Sequence, residues 1–446
     1  MKIVIAGAGD IGFHLAKMLS SENHDIVLID LNESVLEYAG THIDVLTVKG
    51  DSSSVGILTN ANVSKANLFI AVTTNESVNI VSCILAKQMG AVQTIARVSK
   101  SEFWLPEQKQ VFQELGVDKI IYPSKLASLE VRRLIKLAQA TDNFEFEGGK
   151  ISVIGIRLIQ DSPFIGRTLK EIDEMFPNLN TRPIAILRAE ETILPRSNTR
   201  MNLHDHVYFI TPQKDKEQLL QIVSKKIKKI KNIMILGGEG VALETALLLE
   251  NEYNITIVTK DKSQCKRLVE HLHNSLVIEG EPSNFELLKE EGLANMDALI
   301  AATTNSETNI ITSLMAGHVG VYKTIALVDN TDYTHISQHI GVDTMINKKL
   351  IAANNIFRFV RKGKVEAITS LHGVDAEIIE YVIHHESVLT QKNLRSIKFP
   401  EHALIGGVIR GETSYIPNGD FQLEVNDKVI VLGMTSALGE LENLFT

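Results

Sequence analysis

Cysteine is scarce: Cys83 and Cys265 are the two in a chain of 446 residues. Neither sits in a CxxC or Cys/His spacing, which excludes a disulfide framework or a zinc site and fits a reducing cytosol. No stretch reaches the ~18 uninterrupted apolar residues that a membrane helix needs. The first residues read as a strand, without the charged-then-apolar order of a signal peptide. A cytosolic chain is therefore expected, free to dock onto a membrane protein. Positive charge is also in deficit: the net charge of −9 supplies no global field toward nucleic acid. The strong basic run, Lys225-Lys226-Ile227-Lys228-Lys229-Ile230-Lys231, has no helix-turn-helix or RNA-binding signature beside it. It reads as a solvated helix face, or, if functional, as a patch for anionic lipid headgroups. The length suggests two to four domains.

What is present begins at once. Ile3-Val4-Ile5-Ala6 is a short β-branched apolar run, read as a buried strand. Gly7-Ala8-Gly9-Asp10-Ile11-Gly12 follows, then a helical stretch over Phe13 to Leu19 and a second strand over Ile26 to Ile29 ending at Asp30. This is a βαβ unit with G-x-G-x-x-G at the strand-to-helix turn. Gly7 permits the tight turn, Gly9 lets a pyrophosphate approach the backbone, and Gly12 lets helix and strand pack closely. The helix N-terminus offers amides and a positive dipole end to phosphates. Asp30 lies 18 residues past Gly12 (30 − 12), near the spacing of the acid that hydrogen-bonds ribose hydroxyls. A carboxylate there repels a 2′-phosphate and favours NAD over NADP.

Strands are expected at Val45 to Val48, Leu68 to Val72, Thr94 to Val98 and Lys119 to Tyr122, with helices over about Asn32 to Ala39, Ser52 to Asn60 and Glu76 to Met89. The alternation gives a doubly wound parallel sheet with ligands at the carboxyl ends of its strands. Asp30, Asp51, Thr73, Thr74, Asn75 and Arg97 fall at or near those ends. Pro123 ends the sixth strand, and a helix over Ser124 to Gln139 carries Leu126, Leu129, Leu134 and Leu137 on one stripe. Arriving after the sheet is complete, it packs either on its own sheet or on a neighbour. From Phe144 the texture changes to a small α+β module, with strands at Ile151 to Leu158, Ile184 to Arg188 and His206 to Thr211, and a short helix over Leu169 to Met175.

Then the pattern repeats. Gly7 recurs at Gly237, Gly50 at Gly280, Thr73-Thr74-Asn75 at Thr303-Thr304-Asn305, and Asn79 at Asn309, all at an offset of 230 (237 − 7). Gly116-Val117-Asp118 recurs at Gly341-Val342-Asp343, an offset of 225 (341 − 116), so the second copy is five residues shorter in between. Leu350, Ala353, Phe357 and Val360 repeat the late apolar stripe, and residues 364–446 repeat the small module. The expected architecture is an internal duplication: an α/β chain of two Rossmann-like doubly wound parallel sheets, residues 1–140 and 230–360, each followed by a small α+β module, residues 141–226 and 364–446.

The copies differ in chemistry. Glu239 stands where Gly9 does, placing an anionic side chain on the pyrophosphate path. Ala242 replaces Gly12, Leu327 replaces Arg97, and the position of Asp30 falls on Thr259 or Lys260. All but the tolerated Ala242 weigh against phosphate or ribose, so the second sheet is expected to bind nucleotide weakly or not at all.

The GAGDIG turn with Asp30, Gly50-Asp51, AVTTNESVNI (Ala71 to Ile80), TIARV (Thr94 to Val98) and their repeats closely resemble the TrkA family of potassium-uptake regulators. SPFIGRTLKEI (Ser162 to Ile172) and IPNGDFQLEVNDKVIVL (Ile416 to Leu432) resemble its C-terminal modules. The resemblance covers essentially the whole chain, in the order of two RCK (KTN) domains each followed by a TrkA-C module. It implies a cytosolic gating ring of several chains, four by the family's habit, peripheral on the inner face of the cell membrane and docked on a TrkH- or TrkG-type potassium transporter. It implies NAD(H) as ligand, with ATP or ADP as used by related rings. By this resemblance Gly7, Ala8, Gly9, Asp10, Ile11 and Gly12 form the phosphate turn, Asp30 takes the ribose, Asp51 lies by the adenine, Thr73, Thr74 and Asn75 face the dinucleotide, and Arg97 faces phosphate. The GGGNIG turn of some relatives is degenerate in the second copy here. The alternative is an NAD-dependent oxidoreductase, which needs a catalytic domain with a general acid or base. No nucleophile, paired acids or metal set is visible. His204-Asp205-His206 reads as a turn entering a strand, and His384-His385 has no partner motif.

Overall fold

Ile3, Val4, Ile5 and Ala6 are fully buried, as a central strand covered on both faces requires. They belong to β1 (Lys2–Ala6) of a six-stranded sheet with β2 (Asp25–Asp30), β3 (Leu46–Lys49), β4 (Leu68–Ala71), β5 (Gln93–Arg97) and β6 (Lys119–Ile121). The order is β3-β2-β1-β4-β5-β6, and every pairing is parallel. The computed structural model describes residues 1–20, 24–136, 142–188, 191–223, 230–330, 333, 341–360, 367–371, 374 and 376–445.

Helices α1 (Asp10–Ser20), α2 (Glu33–His42), α3 (Val55–Asn60), α4 (Glu76–Gln88) and α5 (Pro106–Glu114) connect the strands. Asn32 and Asn75 cap α2 and α4 through their side chains, satisfying amides that have no intrahelical acceptor. The expected elements are present with boundary shifts. α3 starts at Val55 rather than Ser52, and α5 lies in a stretch for which no element was expected. Pro123 opens the next helix, Pro123–Lys136, instead of closing β6, because an N-terminal helical position needs no amide hydrogen.

The second sheet repeats the first, with Asn232–Leu236 as its β1 and Lys323–Leu327 as its β5. Each small module is a five-stranded antiparallel sheet, and the two share one strand order. In the first, Thr168 caps Leu169–Met175 with a reciprocal capping box to Glu171. The repeat of that helix is a 3-10 turn, Leu394–Ser396. The two modules stack face to face: Ile151, Ile184 and Ile210 of one and Ile378, Ile409 and Ile430 of the other share one core. Gly406 and Gly407 allow this approach, since a Cβ on either would lie about 3 Å from Ile210 or Ile151.

The two late helices exchange partners. Pro123–Lys136 leaves its own sheet and packs on Val241–Leu249, the α1 equivalent of the second copy. Lys348–Val360 returns the exchange, packing on α1, and the two crossing helices touch each other. Ala127, Val131, Leu134 and Ile135 enter the core of the second sheet, while Ala352, Ala353, Ile356 and Phe357 enter that of the first. The expected stripe is corrected here. Leu134 is buried as expected and Leu126 packs partly buried, but Leu129 is 42% exposed, the β-branched Val131 and Ile135 share the packing, and Leu137 lies outside the described residues. Glu244, nearly buried, accepts from Lys125 Nζ at 3.0 Å and Tyr122 Oη at 3.1 Å, which ties the first crossing helix to the second copy. Arg132 at 2.7 Å and Lys136 at 3.2 Å share Glu252 farther along. Of the basic run, Lys225 to Lys229 lie outside the described residues, and Ile230 is buried against the second sheet.

Leu134 is 1% exposed. Leu134→Ala should lower stability by about 2–5 kcal/mol in urea unfolding, whereas Leu129→Ala should stay within about 0.5 kcal/mol of the parent. Equal costs would contradict the exchanged packing.

Candidate functional site

Between β1 and β4 the strand order reverses, and the carboxyl ends there open into a cleft of about 570 Å³, the usual location and size for a ligand in such a sheet. Gly7 turns at φ +102°, and a Cβ on it would lie 2.8 Å from Thr73 N. Gly9 is exposed on the cleft, with no atom within 4 Å of where a Cβ would stand. At Gly12 a Cβ would come within 1.8 Å of the Gly7 carbonyl, so the missing side chain is what lets α1 start directly beneath the turn.

Gly7, Gly9, Asp10, Ile11, Asp30, Asp51, Thr73, Thr74, Asn75 and Arg97 all line the cleft. Ala8 and Gly12 do not. Both are buried: Gly12 serves the helix approach, and Ala8 gives its N–H to Asp30 Oδ2 at 2.7 Å. Asp30 also accepts from Asn32 N at 2.9 Å, so two backbone donors fix its carboxylate at the cleft. Ser53 donates its N–H and hydroxyl to Asp51 and holds that carboxyl below its usual range. Asn75 spends its side-chain oxygen on the cap of α4.

Arg97 is held by a residue that motif reading passes over. Asn79, 1% exposed, accepts from Thr73 N and Thr73 Oγ1 at 2.9 and 2.7 Å. It donates to the carbonyls of Thr73 and Arg97 at 3.0 and 2.9 Å, clasping the ends of β4 and β5 together. The Arg97 guanidinium leans on the Thr73 carbonyl at 3.5 Å, and its Nε is buried without a partner among the described residues. Burial lowers its pKa. An orphaned cationic donor, an open glycine and an aimed carboxylate together fit a ligand that carries both phosphate and ribose. Leu31, Val35 and Val78 add apolar wall that the motif did not announce. Lys349, from the crossing helix of the other half, also lines this cleft and places Nζ 2.6 Å from Asp10 Oδ2.

The corresponding cleft in the second copy measures about 280 Å³. Strand register assigns Thr259, not Lys260, to the position of Asp30, because Val258 pairs with Leu236 as Ile29 pairs with Ala6. Thr259 hydrogen-bonds Gln264 at 2.7 Å, and Gln264 Oε1 lies 2.4 Å from where a Cβ on Gly238 would be, so this side chain occupies the turn. Glu239 pairs with Arg267 at 2.7 Å at the cleft mouth. With Ala242 in place of Gly12, the helix starts one position later, at Val241, with Gly240 at φ +52°. The Asn309 clasp on Thr303 and Leu327 is intact.

Elsewhere, Asp205 is buried and accepts both Nε and Nη2 of Arg188 at 2.8 Å, with His204 in the left-handed turn at φ +69°. Asp427 and Arg410 repeat the pair in the second small module. These are structural clamps. No group of three or more His, Cys, Asp or Glu side chains among the described residues could hold a metal.

The sequence profile of the TrkA-N domain matches residues 3–123 and 233–348, and that of the TrkA-C domain residues 153–224 and 378–446. The chain belongs to the TrkA family. Trk system potassium uptake protein TrkA homolog 1 of Methanosarcina mazei is 31% identical over the full length of both chains. A TrkA-family chain is a component of potassium uptake, not an enzyme. Among solved structures, the GsuK channel bound to NAD has a TM-score of 0.61 at 14% identity, covering 100% of this chain and 78% of that one. GsuK bound to ADP has a TM-score of 0.51 at 14% identity, covering 81% and 69%. At these identities the likeness is one of fold. No helix among the described residues is long and apolar enough to cross a membrane.

The two glycines separate folding from binding. Gly9→Ala should leave stability within about 0.5 kcal/mol, whereas Gly12→Ala should cost about 1–3 kcal/mol through overpacking, both read by thermal unfolding. A larger loss for Gly9→Ala would contradict the open face of the turn.

Proposed function

We propose that this TrkA-family chain is the nucleotide-sensing subunit of a gating ring that controls a TrkH- or TrkG-type potassium transporter. The ligand is NAD(H) or an adenine nucleotide such as ADP or ATP, held in the amino-terminal cleft. The functional units are residues 1–140 and 230–360 for the two Rossmann-like domains, and 141–226 and 364–446 for the modules that follow them. The observation that carries the reading is the asymmetry of the two clefts. The first keeps an open Gly9, an aimed Asp30 and an Arg97 Nε with no partner among the described residues. The second has Glu239, Thr259 with Gln264, and Leu327 at those places. The NAD- and ADP-bound GsuK structures support the ligand class.

In this reading the dinucleotide pyrophosphate lies over Gly9 and the start of α1. Asp30 takes the ribose hydroxyls, Asp51 lies by the adenine, and Arg97 faces phosphate. The second cleft binds weakly or not at all, so the chain takes one nucleotide. Several chains, four in the expected assembly, form the ring beneath the transporter on the cytoplasmic face of the membrane. A ligand shifts such an assembly only by binding one of its conformations better than the other, and a cleft walled by both halves of the chain couples occupancy to their relative position.

Potassium flux through the reconstituted transporter tests this. Flux with the wild-type chain should change across a series of NAD⁺, NADH, ADP and ATP. Gly9→Glu and Asp30→Ala should abolish that response while the assembly keeps its size in gel filtration. A response that persists in both variants would rule out the first cleft as the sensor. Calorimetry should give one nucleotide per chain; two would refute the asymmetry.

A further inference from the structure

Lys349 belongs to the second half of the chain, yet its ammonium stands at the glycine turn of the first. We propose that Lys349 is a phosphate-binding residue of the amino-terminal cleft, so that a phosphate-bearing ligand there bridges the two halves of the chain. The proposal rests on the nucleotide reading given above and adds a residue that the TrkA motifs do not contain.

Three observations carry it. The first is charge. The cleft is lined by the carboxylates of Asp10, Asp30 and Asp51 and by two cations, Arg97 and Lys349. Asp10 is the first residue of α1, where a phosphate would meet the helix amides, and its bare carboxylate would repel that phosphate. Lys349 neutralises it at 2.6 Å, and an ammonium has three donors to share between a carboxylate and a ligand oxygen. The second observation is reach. Lys349 is the second residue of Lys348–Val360, whose Ala352, Ala353, Ile356 and Phe357 are buried in the first half's core. The anchored helix delivers the side chain to the cleft, and its Nζ lies 4.0 Å from a second carboxylate, Asp329.

The third is the comparison within the chain. Arg97 pairs with Ile121 as Leu327 pairs with Ile346, so Ser124 holds in the first crossing helix the position that Lys349 holds in the second. The counterpart of Asp10 is Gly240, and a Cβ there would lie 3.3 Å from Ser124 Oγ. The same junction is thus built twice. It carries the charge pair only over the cleft that keeps the phosphate and ribose signature. At the other junction the buried Glu244 takes Lys125 and Tyr122 in a contact that needs no ligand.

The test is calorimetric titration of the full chain with NADH and, separately, with ADP, at low and high salt. K349Q should weaken both by about tenfold or more, the loss of one charge-assisted contact, and should flatten the salt dependence of binding. K349R should restore most of the affinity. D10N, which removes the competing carboxylate, should bind at least as tightly as the parent. A loss confined to NADH or to ADP would overturn it too, since the two ligands share the same diphosphate. Unchanged affinity in K349Q, or a loss with the parent's full salt dependence, would overturn the proposal by making Lys349 a spectator or a purely structural residue. Should K349Q disturb folding, D10N decides alone: weaker binding there would overturn it. A parent chain that binds neither NADH nor ADP is a different result, and refutes the nucleotide reading itself.

Discussion

The structure depends on an exchange of helices. A parallel sheet is stable only when both faces are covered, and in each half α1 or its repeat is left with an apolar flank facing outward. Each half covers the flank of the other. Val131, Leu134 and Ile135 seal the second copy, and Ala353, Ile356 and Phe357 seal the first. Neither Rossmann-like unit is complete alone, and the angle between them is fixed by where two amphipathic helices cross. The two junctions differ in chemistry. One is fastened by a nearly buried glutamate that a lysine and a tyrosine both reach, where removing a partner would strand a charge away from water. The other has a half-exposed ion pair at the edge of a cleft.

The small modules join the halves a second time. Their sheets stack over paired glycines, and around that shared core Lys150 bonds Glu412 at 3.0 Å and Lys428 bonds Glu147 at 2.5 Å. The bidentate Arg188–Asp205 and Arg410–Asp427 pairs stiffen equivalent turns in each module. The halves are therefore joined by crossing helices and by stacked sheets.

Much of this was legible beforehand, because the parts that were read are local. A glycine turn between two β-branched runs has one common geometry, and Asp30 at the end of the second run follows from it. The duplication was visible as an offset of 230 that shortens once, to 225. What was not legible is whatever depends on distant partners. Amphipathic spacing says that Pro123–Lys136 is buried, but not against which sheet, and leucine counting put Leu129 on the wrong side. Within the glycine motif, neighbours in sequence split by role: Gly9 faces the cleft, whereas Ala8 and Gly12 face the protein. Lys349 could not have been found by motif, since it is 339 residues from Asp10. Asn79 could have been: a polar residue recurring at Asn309, on a helix face that packs against strands, signals a buried hydrogen-bonding task.

That asparagine has a wider consequence. Its four bonds join two strand ends in both copies with nearly the same lengths. In the second copy it does so beside a turn plugged by Gln264. The clasp therefore belongs to the scaffold and does not depend on an open turn beside it. One polypeptide thus contains the same turn twice, once open and once plugged, so every difference between them, residue by residue, separates what an open cleft demands from what mere construction demands.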